Sequence, residues 1–184
     1  TRILRAVRYA QRLDFRLESR TQQMLKRDVG YLDPIKGDRV RHELKRIIQE
    51  ELAVSMLRMA RTLGVLSAIY PGLGLGEEVL MRLQETRGRS EDPRTLLFVA
   101  ALAYSVSTER QAGLIARLNM DTAWAKVVGD AGAVRDSFEA LRALRLPPRR
   151  VYELLNRFDE TAIEGCLLST GDPVVAQRLR EYME

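Results

Sequence analysis

With 184 residues, 46% apolar and 30% charged, the chain is long enough for one domain, or two small helical layers, around an apolar core. No apolar run approaches the roughly 20 residues of a membrane helix, and Thr1-Arg2-Ile3-Leu4-Arg5 lacks the unbroken apolar stretch of a signal peptide. The net charge of +5 is unevenly spread: residues 1–50 carry 13 Lys/Arg against 7 Asp/Glu, and residues 51–184 carry 17 against 18.

Residues 2–13 read as an amphipathic helix. Ile3, Ala6, Val7, Ala10 and Leu13 share one arc, and Arg2, Arg5, Arg8 and Arg12 share another. A second helix starts near Ser19, with Gln22 placed as its capping-box partner, and ends near Val29-Gly30. After the turn Asp33-Pro34-Ile35-Lys36-Gly37, Asp38 can cap a helix from Arg39 to about Glu51. Residues 52–63 continue as a helix that Gly64 stops. Residues 65–70 form a short apolar segment ended by Pro71, and a glycine-spaced loop leads to a helix at about 77–87. A polar linker follows at 88–91. Asp92-Pro93, Thr108 with Gln111, Pro147-Pro148, Asp159 and Asp172-Pro173 each open a further helix, and two more helical patterns lie near 121–129 and 131–145. No period-two alternation is present, so the expected fold class is all-α, an elongated multi-helix array. It divides into residues 1–88 and 89–184, and no internal repeat supports a solenoid.

Little in this pattern supports a self-contained active site. A single cysteine, Cys166, excludes a disulfide framework and fits a reducing cytoplasm. With His42 the sole histidine, a Cys/His zinc site, which needs about four ligands, is excluded too. Gly72-x-Gly74-x-Gly76 follows a helical segment rather than a strand and reads as a turn, not a phosphate loop. The acidic pairs Glu77-Glu78, Glu91-Asp92 and Asp159-Glu160 stand at helix starts, where the helix dipole alone favours them. Trp124, among Ala123, Ala125, Val127 and Val128, reads as core. Tyr9 borders the arginine face and could either stack on a base or pack beneath the arginines. The arginine stripe is the strongest signal. Guanidinium forks at spacings of three, three and four suit phosphates and base edges, and the competing reading is a solvated face paired to acids such as Glu18 or Glu43. Lys45 and Arg46 extend the basic character of the segment, and Arg8, Arg12, Lys45 and Arg46 are the candidate RNA-binding residues.

The run Arg2-Ile3-Leu4-Arg5-Ala6-Val7-Arg8-Tyr9-Ala10-Gln11-Arg12-Leu13-Asp14-Phe15 resembles the segment that follows the catalytic head in bacterial class II tRNA nucleotidyltransferases of the CCA-adding type and poly(A) polymerases. That family has Glu-Asp-x-x-Arg, then an arginine-rich helix ending in Arg-Leu-Gly-Phe. Gly37-Asp38-Arg39-Val40-Arg41-His42-Glu43-Leu44 is similar to its neck motif, and Leu63-Gly64-Val65-Leu66-Ser67-Ala68-Ile69-Tyr70-Pro71 to its Leu-Gly-Val-Leu…Pro segment. The resemblance covers residues 1–73. It departs at Asp14, where the family commonly has Gly, and at Ser19, where it commonly has Pro.

The resemblance implies neck, body and tail helices of an enzyme that adds CCA or A to RNA 3′ ends without a template. Arg2 would be the motif arginine that reads the base edge of CTP or ATP, with Arg5 beside it in nucleotide binding. Arg39 and Glu43, four residues apart, would form a neck ion pair. The metal-binding acids belong to the family's head, so Mg2+ with ATP or CTP is expected only in the full-length enzyme. The sequence begins inside a helical pattern without Met and reads as part of a longer protein that is inactive when cut to this portion. The implied partner is a tRNA acceptor and T-arm or another RNA 3′ end in the cytoplasm, without a membrane. The alternative is a basic helical protein-interaction module with no nucleotidyltransferase role; a regulatory helical domain fused to another enzyme is the third possibility.

Overall fold

The computed structural model describes residues 1–86 and 91–184, with side chains from residue 94 onward in the second stretch. Among these the fold is all-α, without strands. In chain order the helices are α1 (Arg2–Arg12), α2 (Ser19–Asp28) with a 3-10 turn (Val29–Leu32), α3 (Gly37–Gln49), α4 (Ala53–Thr62), α5 (Val65–Ile69), α6 (Glu77–Glu85), α7 (Glu91–Ala103), α8 (Thr108–Leu118), α9 (Thr122–Asp136), α10 (Phe138–Leu141), α11 (Pro148–Leu155), α12 (Glu160–Ser169) and α13 (Pro173–Met183). Of the linker expected at 88–91, residues 88–90 lie outside the described residues, and Glu91 is instead the first residue of α7.

One buried apolar cluster runs from Ile3 to Leu179. In the first half, α3 and α4 pack on each other and on α1. In the second half, α7, α9 and α12 pack together, and Leu97 to Ala103 of α7 are all buried. A helix apolar on every side belongs in such an interior position. Helix α3 touches α7 and α8, so the N-terminal layer sits against the second half of the chain.

Several expected helix starts are realised with their caps. The Asp121, Asp159 and Asp172 carboxylates accept from the backbone N–H groups of Trp124, Thr161 and Val174 at 3.0, 2.9 and 3.0 Å. Gly64, at φ 75°, follows α4 as expected. Three expectations are corrected. Ser19 is the first helical residue rather than a cap, and Gln22 Nε2 donates to the Leu17 carbonyl instead of closing a capping box. Asp38 lies inside the first turn of α3, where its carboxylate accepts from Asn119 Nδ2 at 2.7 Å. The helices expected near 121–129 and 131–145 are one continuous α9 followed by the short α10. Gly132, inside α9, permits close approach of α8: a Cβ there would lie 2.3 Å from Gln111 Oε1.

Four arginines close helix C-termini, where carbonyls have no partner inside the helix. Arg117 donates to the carbonyls of Leu32 and Ile35 behind the 3-10 turn, at 2.8 and 3.0 Å. Arg82 donates to Leu168 and Thr170 at the end of α12, at 2.8 and 3.4 Å. Arg135 donates to Tyr104 and to Val106 beyond α7, and Arg178 to Leu141 and Ala143 at the end of α10. These guanidiniums are spent on the backbone of distant elements.

Candidate nucleic-acid interface

The arginine helix α1 does not present one uniform stripe. At 100° per residue Arg5, Arg8 and Arg12 fall within about 60° of one another, and Arg2 lies about 120° from Arg8. The structure follows that geometry. Ile3, Leu4, Val7 and Ala10 are buried, and Arg8, adjoining Leu4 on the wheel, is only 7% exposed. Leu13, expected on the apolar arc, is exposed. Arg2 is exposed on the far side, at the edge of an apolar groove with Ile3, Met24 and Tyr31.

Helices α1 and α3 run in the same direction, and their charges meet in register. Arg5 Nε donates to Glu43 Oε1 at 2.8 Å. Arg8 lies between two carboxylates, with Nη2 3.9 Å from Glu43 Oε2 and Nη1 3.2 Å from Glu50 Oε1. Arg12 Nη1 is 3.8 Å from Glu50 Oε1. Glu43 is 2% exposed, so its charge depends on these partners. Its hydrogen bond holds the Arg5 guanidinium above its ordinary pKa. Tyr9 stays exposed, with the Arg8 guanidinium 4.8 Å from its ring centroid.

Two expectations about site residues are thereby corrected. The ion pair expected between Arg39 and Glu43 does not form, because Glu43 points inward from α3 to the arginines of α1 while Arg39 is exposed. Arg8, expected on an RNA surface, is buried between α1 and α3 and engaged by two carboxylates. Sequence reasoning missed Glu50 as the second rung. The signal was present: Arg5 and Arg12 are seven residues apart, as are Glu43 and Glu50, two turns on each helix.

An open groove of about 810 Å³ lies between the start of α1, the outer face of α3 and the N-terminus of α9. Arg5, Arg39, Arg41 and Lys45 line it with His42, and its acids are Asp38, Glu43 and Asp121. All three acids are engaged: Asp38 by Asn119 and by Arg41 at 3.5 Å, Glu43 by Arg5, and Asp121 by the α9 backbone. Arg39 and Lys45 are exposed and have no acidic partner among the described residues. Arg46 is exposed on α3 outside the groove, and Trp124 is buried at its floor, as expected for a core residue. Gly37 fixes the start of α3 against α8, since a Cβ there would stand 2.1 Å from the Arg117 carbonyl oxygen. The groove therefore offers unneutralised cations to a polyanion. No group of three or more His, Cys, Asp or Glu side chains among the described residues is gathered so as to hold a metal ion.

Comparison with known proteins agrees with this geometry. Residues 14–75 match the family described as "Probable RNA and SrmB-binding site of polymerase A", a stretch that contains α2, α3 and α4. The chain is 36% identical over 89 residues to an A-adding tRNA nucleotidyltransferase of Geobacter sulfurreducens, covering 47% of this chain and 10% of that protein. It is 36% identical over 88 residues to the A-adding tRNA nucleotidyltransferase of Aquifex aeolicus, of which it covers 11%. The match thus spans about a tenth of the curated relatives' length. In fold, 99% of the chain superposes on 46% of a CCA-adding enzyme solved with CTP, with a TM-score of 0.69 and 22% identity. The same enzyme type solved with ATP gives a TM-score of 0.70 and 24% identity. The matched stretch contains the neck motif and the Leu63–Pro71 segment, and the all-α fold resembles part of the CCA-adding enzymes.

Proposed function

We propose that this chain is the RNA-binding C-terminal portion of a template-independent tRNA nucleotidyltransferase or poly(A) polymerase, and that the groove between α1, α3 and α9 tracks an RNA backbone. The observation that carries this reading is the pair of exposed, unpartnered cations Arg39 and Lys45 in a groove whose acids are all engaged. That groove draws its α3 face from the stretch that matches an RNA-binding family. Arg46 adds charge on the same helix, Arg5 of α1 lines the groove, and Arg12, also more than half exposed, stands further along α1. Backbone contacts of this kind recognise folded RNA by shape and phosphate more than by base sequence.

The finer parts of the reading rest on the family resemblance. The RNA is a tRNA acceptor and T-arm, or another RNA 3′ end, in the cytoplasm. Arg2, exposed and without an acidic partner among the described residues, is the residue that would meet the base edge of ATP or CTP. Magnesium and the activated 3′ hydroxyl belong to parts of the enzyme outside this chain, and the chain by itself is catalytically inactive.

The test is tRNA binding as a function of salt. Wild-type affinity should fall with salt, with a slope of log affinity against log salt of about 3 from this groove, and Arg39→Glu with Lys45→Glu should flatten that slope and weaken binding at least tenfold. Wild-type affinity in the double variant would overturn the assignment of the groove. Heparin competition tests the alternative: a protein-interaction module with a basic face would not prefer tRNA over heparin.

A further inference from the structure

The buried end of the α1–α3 contact is not fully satisfied. Glu43 Oε1 accepts from Arg5, but Glu43 Oε2 is buried without a hydrogen-bond donor. The Arg8 guanidinium stands 3.9 Å from that oxygen, beyond hydrogen-bond reach, and its Nε is buried without an acceptor. Unmade hydrogen bonds on buried charged groups are costly, and here an unused acceptor and an unused donor belong to neighbouring side chains. Arg5, in contrast, is half exposed and lines the basic groove.

Resting on the RNA-binding reading above, we infer that Arg5 is an exchangeable cation: RNA phosphate in the groove draws Arg5 off Glu43, and Arg8 closes on Glu43 in its place. The exchange is balanced in charge. Glu43 keeps a guanidinium partner throughout, so no bare carboxylate is left buried. Arg8 stays within reach of Glu50, which also has Arg12 beside it. Arg5 can leave because its side chain needs only to swing into the groove it already lines. Glu43 is thus a positioning residue that holds Arg5 at the groove wall in the free chain and competes with phosphate for it. Binding then proceeds against a defined competitor, which favours ligands that present a phosphate opposite Arg5 over diffuse polyanions.

The exchange is tested with an unmodified tRNA transcript and the whole chain. Each phosphate contact contributes about 0.7–0.9 to the slope of log affinity against log salt. If Arg5 grips a phosphate in the complex, Arg5→Ala should lower the slope by about that amount. Glu43→Gln should leave the slope unchanged and raise affinity by up to about fivefold, the worth of a half-exposed ion pair. Arg5→Ala removes a half-exposed side chain and leaves Arg8 beside Glu43, so with folding checked by circular dichroism the slope can be read even where Glu43→Gln destabilises the chain. A direct readout comes from the arginine Nε–H resonances: on saturation with tRNA, the Arg8 signal should gain the shift and slowed exchange of a new carboxylate bond. An Arg5→Ala slope equal to wild type, with the Arg8 resonance unmoved, overturns the exchange. If Arg39→Ala with Lys45→Ala still lowers the slope in that case, the RNA reading stands without it. If that double variant also leaves the slope untouched, both fall.

Discussion

Replacing Arg8 by Met isolates the contribution of the α1–α3 charge ladder. The substitution keeps the unbranched stem, which packs beside Leu4, and removes the guanidinium that serves both Glu43 and Glu50. Removing one member of a buried ion pair costs about 3–5 kcal/mol, because the other charge stays buried. Here the loss is partly cushioned. Glu43 keeps Arg5 at 2.8 Å, and Glu50 is 22% exposed and can turn to water or to Arg12. The expected cost is therefore about 2–3 kcal/mol, below the value for an orphaned pair and above that for a surface bridge. Arg12→Ala is the control: its side chain is 57% exposed and 3.8 Å from Glu50, so its loss should cost no more than about 0.5 kcal/mol. Urea denaturation measures both, with the m-value reporting any change in the surface exposed on unfolding. If Arg8→Met costs no more than Arg12→Ala, the ladder does not fix α1 on α3, and α1 is held by its apolar face of Ile3, Leu4, Val7 and Ala10.

Three further outcomes follow from other contacts. Gly37→Ala should destabilise by about 1–3 kcal/mol in thermal melts, because its Cβ would meet the Arg117 carbonyl and force α3 away from α8. Arg135→Lys should cost about 1–2 kcal/mol, since a lysine keeps the charge but cannot fork to the Tyr104 and Val106 carbonyls and the Thr108 hydroxyl together. The Cys166 thiol, pushed up to about 12 by burial from an ordinary 9.0, should resist iodoacetamide at pH 8 in the folded chain and react when unfolded. Because the raised value disfavours the folded thiolate, this residue's contribution is intact below pH 9 and is lost as pH rises towards 12. A Cys166→Ala chain should lack that alkaline loss.

The fold was legible where local chemistry decides it. Asp159 and Asp172 announce helix starts because a short carboxylate beside an open N–H has one favourable use. Gly64 announces a stop because φ 75° is easiest without a side chain. Illegible features depended on a partner distant in sequence. The helical patterns near 121–129 and 131–145 looked separate, and only the packing of Gln111 of α8 reveals why Gly132 stands inside one continuous α9. Glu43 looked like the mate of Arg39, four residues back, since helical spacing is all that one sequence displays. Its true mates, Arg5 and Arg8, lie 38 and 35 residues away on α1, and only the packing of the two helices brings them together. The groove was half visible: Lys45 stood out by charge, whereas Asp121 and Trp124 join it through the position of α9.

The way the arginines are used explains why a modest net charge can still make a polyanion site. In residues 51–184 cations and acids nearly balance, and Arg61, Arg82, Arg117, Arg135 and Arg178 donate to backbone carbonyls of other elements. Those guanidiniums stabilise helix ends and are turned towards the protein. On α1, Arg8 is likewise withdrawn by Glu43 and Glu50. Within the groove, what faces solvent with little neutralisation is Arg39 and Lys45 on α3, with Arg46 beside it; elsewhere Arg2, Arg16, Arg20, Lys26 and Lys36 are also exposed without an acidic partner among the described residues. Three or four phosphate contacts at about 0.9 each give a salt slope near 3, far below that of a protein covering many phosphates. Affinity from this groove alone should then be weak at physiological salt, and tight RNA capture requires contacts elsewhere on the chain or on a larger enzyme. Specificity in such an arrangement comes from where the few free cations stand, and their places are set by the buried pairs beneath them.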